Sequence, residues 1–173
     1  MLVFFDDILI YVKSWEDHIR HVDKVLKLLE EKQLYAKPSK CFFGVQEVEY
    51  LDHIISYEGV KVHPNKIQAI KEWKIPTTIK HIRGFLGLTR YYQKFVKNYG
   101  RIKKPLPTLL KKDAFYWTPK ATIAFKQLKD AMCRAPVLAT PDFTKTFIIE
   151  CDASRNGIGD VLMQDGRPTA FES

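Results

Sequence analysis

Residues 61–112 hold fourteen Lys or Arg and a single acid, Glu72, so this one stretch carries +13. The whole chain carries +8, which leaves −5 for the remainder (fourteen basic residues against nineteen acidic). The segment is strongly basic inside an otherwise mildly acidic chain. So concentrated a field most often meets a polyanion, whereas a merely soluble surface scatters both signs.

The composition permits a packed core. At 173 residues, 46% hydrophobic and 13% aromatic, the chain suits one large domain or two to three small modules. No apolar run approaches the ~20 residues that span a bilayer. Asp6 and Asp7 interrupt the first apolar stretch, where a signal peptide needs continuity, and no membrane partner is expected. Cys41, Cys133 and Cys151 lack C-x-x-C spacing. They point to a reducing compartment rather than a structural zinc or a disulfide framework.

Residues 2–12 read as two short strands meeting at an acidic turn, since only Asp6 and Asp7 break a run of Val, Phe, Ile and Leu. Ser14-Trp15-Glu16-Asp17 is a capping box for a helix with apolar face Ile19, Val22, Val25, Leu26 and Leu29. Residues 48–56 form a second β region, closed by a turn at Glu58-Gly59. Pro64 suits the first turn of a short helix ending near Trp73. Thr77 or Thr78 then opens a longer helix running to about Lys97. Thr118-Pro119 starts another, with Ile123, Phe125, Leu128 and Met132 inward and its end near Arg134. Residues 146–151 and 158–164 read as strands joined around Asn156-Gly157. The class is α+β.

Asp6 and Asp7 are the first candidates for chemistry. A two-residue hairpin favours Asn-Gly or Asp-Gly, because type I′ turns need positive φ. Asp-Asp fits poorly there and adds like-charge repulsion. Adjacent carboxylates make sense when a divalent cation neutralises them, and all-oxygen ligation is what Mg²⁺ or Mn²⁺ prefers. A solvated turn is the plainer alternative.

The longer helix is the second candidate. At ~100° per residue, Lys80, Arg83, Gly87, Arg90, Lys94 and Lys97 fall in one arc, with Tyr91 at its edge. Ile82, Phe85, Leu86, Leu88, Tyr92, Phe95 and Val96 lie opposite. Gly84 and Gly87 inside a helix each cost roughly 1 kcal/mol relative to Ala. Gly87, central in the basic arc, would let backbone approach a sugar-phosphate chain. A solvated basic face is the alternative.

At these residues a family resemblance appears. Phe4-Phe5-Asp6-Asp7-Ile8-Leu9-Ile10-Tyr11 resembles the aromatic-x-Asp-Asp box of reverse transcriptases. Tyr35-Ala36-Lys37-Pro38-Ser39-Lys40-Cys41-Phe42-Phe43 and Tyr50-Leu51-Asp52-His53-Ile54-Ile55-Ser56 follow in the order seen in gypsy-type (metavirus) LTR-retrotransposon Pol polyproteins. So do Arg83-Gly84-Phe85-Leu86-Gly87-Leu88, Tyr91-Tyr92-Gln93-Lys94-Phe95-Val96 and Phe115-Tyr116-Trp117-Thr118-Pro119. The resemblance covers essentially the whole chain.

It implies an α+β arrangement in four parts. Residues 1–60 would be the C-terminal part of a palm, from the Asp-Asp hairpin to the primer grip. Residues 61–112 would be a basic helical thumb and 113–143 a connection helix. Residues 144–173 would be the first strands of an incomplete ribonuclease H-like sheet. By the same resemblance Asp6 and Asp7 are two of three polymerase carboxylates holding Mg²⁺ or Mn²⁺, and Tyr50, Leu51, Asp52 and His53 form the primer grip. Lys80, Arg83, Gly87, Arg90, Tyr91, Lys94 and Lys97 would face nucleic acid. Asp152 would be the first metal ligand of ribonuclease H.

Three positions depart from the family pattern: Asp52 stands where Gly is usual, Cys151 where Thr is usual, and Asp160 where Ala is usual. An unpaired Asp160 on a half-buried strand would cost several kcal/mol. The third polymerase carboxylate is expected in a motif before the box, and two more ribonuclease H acids after Ser173. The 173 residues are therefore expected to bind a template-primer duplex without being catalytically competent alone. The rest of a Pol polyprotein is the other expected partner, and the expected location is intracellular: cytoplasmic, in a virus-like particle, or nuclear. The alternatives are a non-catalytic nucleic-acid-binding module and a structural partner of an intact polymerase.

Overall fold

The computed structural model describes residues 1–12, 14–111, 115–154 and 157–173. These form two compact units, Met1–Leu51 and Asp52–Ser173. The 112/113 boundary and Asn156 of the expected turn lie outside the described residues.

In the first unit, β1 (Leu2–Phe4) and β2 (Asp7–Leu9) form an antiparallel hairpin in which Phe4 pairs with Asp7. The turn is therefore Phe5-Asp6 rather than two aspartates, and positive φ falls on Phe5, at 51°. Left-handed backbone costs an L-residue roughly 1–2 kcal/mol, so the hairpin tip is strained at the aromatic residue. Helix α1 (Trp15–Glu31) begins at Ser14, whose Oγ accepts from the Asp17 N–H at 3.2 Å, as the capping box requires. No residue of α1 is buried, and Ile19 and Leu26 are 53% and 46% exposed. The apolar face expected of this helix is present as a stripe, but among the described residues it is not buried. Strand β3 (Glu47–Tyr50) follows.

The second unit opens with an antiparallel hairpin of β4 (His53–Ser56) and β5 (Gly59–Val62). Its turn is Tyr57-Glu58, so the sequence reading placed the turn one residue late and missed β5. Gly59 has φ +134° and a Cβ there would meet the Leu138 carbonyl oxygen at 2.0 Å. The approach is this close because Val60 and Leu138 exchange backbone hydrogen bonds of 2.8 and 2.9 Å. Only a residue without Cβ can sit beside that bridge.

Helix α2 (Pro64–Glu72) carries Pro at its first turn, and the His63 Nδ1 accepts from the Asn65 N–H at 3.1 Å as its cap. Helix α3 (Ile79–Tyr91) is capped by Thr78, whose Oγ1 accepts from the His81 N–H at 3.2 Å. It stops at Tyr91, well before Lys97. Tyr92 (φ −102°, ψ 14°) leads into a 3-10 turn, Gln93–Phe95, and Val96 is extended. No Gly or Pro marks this stop. Tyr92, Phe95 and Val96 are 0%, 1% and 3% exposed, so burial overrides the local helical preference.

Helix α4 (Tyr99–Lys103) is followed by a 3-10 turn, Pro107–Leu110, and by α5 (Pro119–Cys133), capped by Thr118. The buried side of α5 is Ala121, Ala124, Phe125, Leu128 and Met132. Ile123, expected inward, is 57% exposed; at ~100° per residue it lies opposite that side. An aromatic chain runs through the core, with ring centroids 5.7 Å apart for Trp73–Phe85, 4.5 Å for Phe85–Phe125 and 5.8 Å for Phe125–Trp117.

Strands β6 (Ile148–Ser154), β7 (Gly157–Gln164) and β8 (Arg167–Glu172) form an antiparallel sheet, of which β8 was not expected. The Ala139 N–H donates to the Pro168 carbonyl at 2.8 Å, tying this sheet to the segment that bridges Val60.

Candidate nucleic-acid interface

Helix α3 is two-sided. Ile82, Phe85 and Thr89 are 0% exposed, while Lys80, Arg83, Gly87 and Arg90 lie in water. Thirteen residues span about 20 Å at the α-helical rise, a length over which several phosphates of one strand could be met. Around Gly87 nothing lies within 4 Å of a built Cβ, so its face is open. At Gly84 a Cβ would make only ordinary contact with the Trp73 ring, at 3.5 Å, so packing does not require glycine there.

Lys94 and Lys97 leave this arc because the helix ends before them. Lys94 lies over the Phe95 ring, Nζ 5.4 Å from the centroid, and burial lowers its pKa. Lys97 instead lines a shallow pocket with Asn98, Glu150 and Asp152.

At the C-terminal end of α3, Asp52 and His53, two positions expected in a primer grip, meet the helix. The His53 ring is 8% exposed and packs 5.5 Å from Tyr91, 5.5 Å from Tyr92 and 5.6 Å from Phe95. Tyr91 itself is 51% exposed. The Tyr92 hydroxyl donates to the Asp52 carbonyl at 3.2 Å, and the Asp52 carboxylate pairs with Lys66 Nζ at 3.1 Å. Leu51 and Asp52 both have left-handed backbone, φ 49° and 58°. Position 52 therefore has a conformational reason to favour glycine, in addition to any close approach of a ligand.

Among the described residues the carboxylates form no complete metal centre. Asp6 and Asp7 are exposed, and the Tyr50 phenol has its pKa raised by burial and by the Asp7 charge. That brings Tyr50 within electrostatic reach of Asp7 in the first unit. Two adjacent carboxylates have the donor chemistry for a hard divalent ion. Among the described residues, though, no group of three or more His, Cys, Asp or Glu is placed to hold a metal. Asp152, exposed on β6 opposite Gly159, stands likewise.

The departures at 151 and 160 are cross-strand partners. A hydrogen bond from the Cys151 thiol to Asp160, then burial, then the Asp160 charge, raise the thiol's pKa. Asp160 is thus not wholly unpaired, although its Oδ1 is buried without a partner.

Sequence reasoning missed Lys66 and Tyr92. Lys66 is one cation among fourteen, with no local signal to separate it. Tyr92 reads as an ordinary core aromatic, and only the fold shows its hydroxyl reaching Asp52. Lys103 was missed too. Its Nζ sits 4.5 Å from the Tyr99 ring centroid, and its pKa is lowered by burial and by Arg90 while Glu172 opposes.

Comparison with known proteins shows the family and the fold. The family "Reverse transcriptase (RNA-dependent DNA polymerase)" matches residues 1–89, and "RNase H-like domain found in reverse transcriptase" matches residues 117–173. The retrovirus-related Pol polyprotein from transposon 297 of Drosophila melanogaster is 41% identical over 174 residues, covering 99% of this chain and 16% of the relative. The Pol polyprotein from transposon gypsy of the same organism is 36% identical, covering 99% and 19%. An uncharacterised mitochondrial protein of Arabidopsis thaliana is 48% identical over 132 residues, 75% of this chain and 84% of that one. The chain thus spans under a fifth of the transposon polyproteins. A foamy viral protease-reverse transcriptase in complex with double-stranded DNA superposes with TM-score 0.85 at 23% identity, over 94% of this chain and 30% of that one. A structure of the foamy viral enzyme with RNA/DNA hybrid gives 0.83 at 23% identity, over 93% and 23%.

Proposed function

The chain belongs to the reverse transcriptase family, in a gypsy-type retrotransposon Pol setting, and on that premise we propose that it binds the backbone of a template-primer duplex through the exposed face of α3. The observation that carries this is one-sidedness: Lys80, Arg83 and Arg90 stand around open Gly87, while Ile82, Phe85 and Thr89 of the same helix are fully buried. Phosphate contacts of this kind position a duplex without reading its sequence. Asp52 and His53, packed at the end of α3, would meet the primer end.

Within such a complex Asp6 and Asp7 would hold the divalent ion, Mg²⁺ or Mn²⁺, with Asp152 contributing to a second centre. When bound, the ion supplies charge neutralisation for phosphoryl transfer. With two carboxylates and no third among the described residues, the chain alone is not expected to reach that chemistry.

The test is the salt dependence of duplex binding. Log affinity should fall linearly with log salt, at a slope near −0.9 per phosphate contact. Arg83→Ala with Arg90→Ala should flatten that slope by about two contacts, with little dependence on base sequence. A double variant that binds like the parent would show that the α3 face is only solvated.

A second reading rests on the first unit. Phe4, Phe5, Trp15 and Phe42, four large apolar side chains of this unit, are 51%, 89%, 60% and 70% exposed. Their exposure suits packing against the rest of a Pol polyprotein. Co-purification with such a polypeptide, in the absence of duplex binding by the chain itself, would favour this role.

A further inference from the structure

Asp52 and Lys66 are opposite charges at the end of the basic face, and their pairing has a consequence for every phosphate that passes. The Asp52 backbone is held from two directions. Its carbonyl accepts from the Tyr92 hydroxyl at 3.2 Å and from the His63 N–H at 3.3 Å. Its carboxylate meets Lys66 Nζ at 3.1 Å, with the two side chains 47% and 36% exposed. Lys66 lies in the first turn of α2, and its own N–H donates to the His63 carbonyl at 2.9 Å. Both partners are thus carried on backbone that is already fixed. Such a pair orders fewer free torsions on forming than two independent surface side chains would.

We propose that Lys66 is a latent phosphate contact, withheld from nucleic acid by Asp52, so that residue 52 sets how strongly this surface grips a primer end. This rests on the duplex-binding reading above. The pair sits next to His53, whose ring packs against Tyr91 at the exposed end of α3. A strand following the α3 face would pass this point. With Asp52 present, the local charge is neutral and Lys66 is occupied. Without that carboxylate, Lys66 gains a free ammonium one helix away from Arg90. The surface would add one contact without any change of fold.

The experiment is a four-member cycle on the 173-residue chain: parent, Lys66→Met, Asp52→Asn and the double variant. Asn is chosen because it tolerates left-handed backbone, so only charge changes; Asp52→Gly serves as a second variant that also relaxes φ. Affinity for a DNA duplex with a recessed primer end is measured by fluorescence anisotropy across a salt series. In the parent background, Lys66→Met should leave the salt slope unchanged. Asp52→Asn and Asp52→Gly should each steepen it by about 0.9, one additional contact, and adding Lys66→Met should remove that gain. A parent slope that flattens by about 0.9 on Lys66→Met would mean that Lys66 already touches phosphate, and would overturn the proposal. So would an unchanged slope in both Asp52 variants. A parent that shows no salt-sensitive binding would overturn the duplex-binding reading itself. Binding that is lost in Arg83→Ala/Arg90→Ala but shows no coupling between 52 and 66 would overturn only the latent contact.

Discussion

The hydroxyl of fully buried Tyr92 reaches the backbone carbonyl of Asp52, forty residues earlier, at 3.2 Å. It fixes the left-handed residue that opens the second unit to the residue that ends α3. Tyr92→Phe keeps the ring packing and removes this bond. Because the carbonyl keeps its partner at the His63 N–H, the expected loss lies at the low end of ~0.5–1.5 kcal/mol. In urea the midpoint should fall while the m-value holds; an unmoved midpoint would mean that the bond adds no stability.

Gly59→Ala should be far more damaging. The new methyl would stand 2.0 Å from the Leu138 carbonyl at φ +134°, opening the bridge between β5 and the segment that leads from α5 to β6. A loss of about 3 kcal/mol or more is expected from clash and backbone strain together. Gly166→Ala is the control, since φ is +72° there but nothing lies within 4 Å of the Cβ. Its cost should be backbone strain alone, about 1 kcal/mol. Equal thermal shifts for the two variants would rule out the clash.

Gly87 separates folding from binding. Gly87→Leu has open space and better helix propensity, so stability should rise by up to ~1 kcal/mol. If sugar-phosphate comes close to this backbone, duplex affinity should drop on the same sample. Unchanged affinity would place the duplex away from the middle of α3.

Cys151 offers a pH-dependent readout of Asp160. The hydrogen bond to Asp160 raises the thiol's pKa, so the protonated, unreactive form persists to higher pH. Asp160→Asn should lower that pKa and shift the alkylation profile of Cys151 to lower pH, speeding reaction at pH 8. Cys133, exposed and remote in sequence, serves as the internal standard. A profile that does not move would show that Asp160 does not hold the thiol.

The chain alone should not extend a primer with Mg²⁺ or Mn²⁺, because Asp6 and Asp7 are joined by no third ligand among the described residues. Primer extension on poly(rA)–oligo(dT) checks this. Incorporation that disappears in Asp6→Asn would show that two carboxylates suffice.

The sequence by itself determined the elements whose causes are local. Ser14, Thr78 and Thr118 each cap the helix that follows, Pro64 and Pro119 fit first turns, and two short strands do pair around the first apolar run, although the turn falls at Phe5-Asp6. A cap or a first-turn proline acts over three or four residues, so its signal is complete in the string. Family motifs were readable for the same reason, as contiguous runs. What tertiary structure decided was where those signals stop. Burial of Tyr92, Phe95 and Val96 ended α3 at Tyr91 and moved Lys94 and Lys97 off its basic face. The Leu138 bridge imposed glycine at 59. Pairing with Lys66 gave Asp52 a partner, and registry across β6 and β7 gave one to Asp160. Each of these depends on a group many residues away, brought near only when the chain buries its apolar surface.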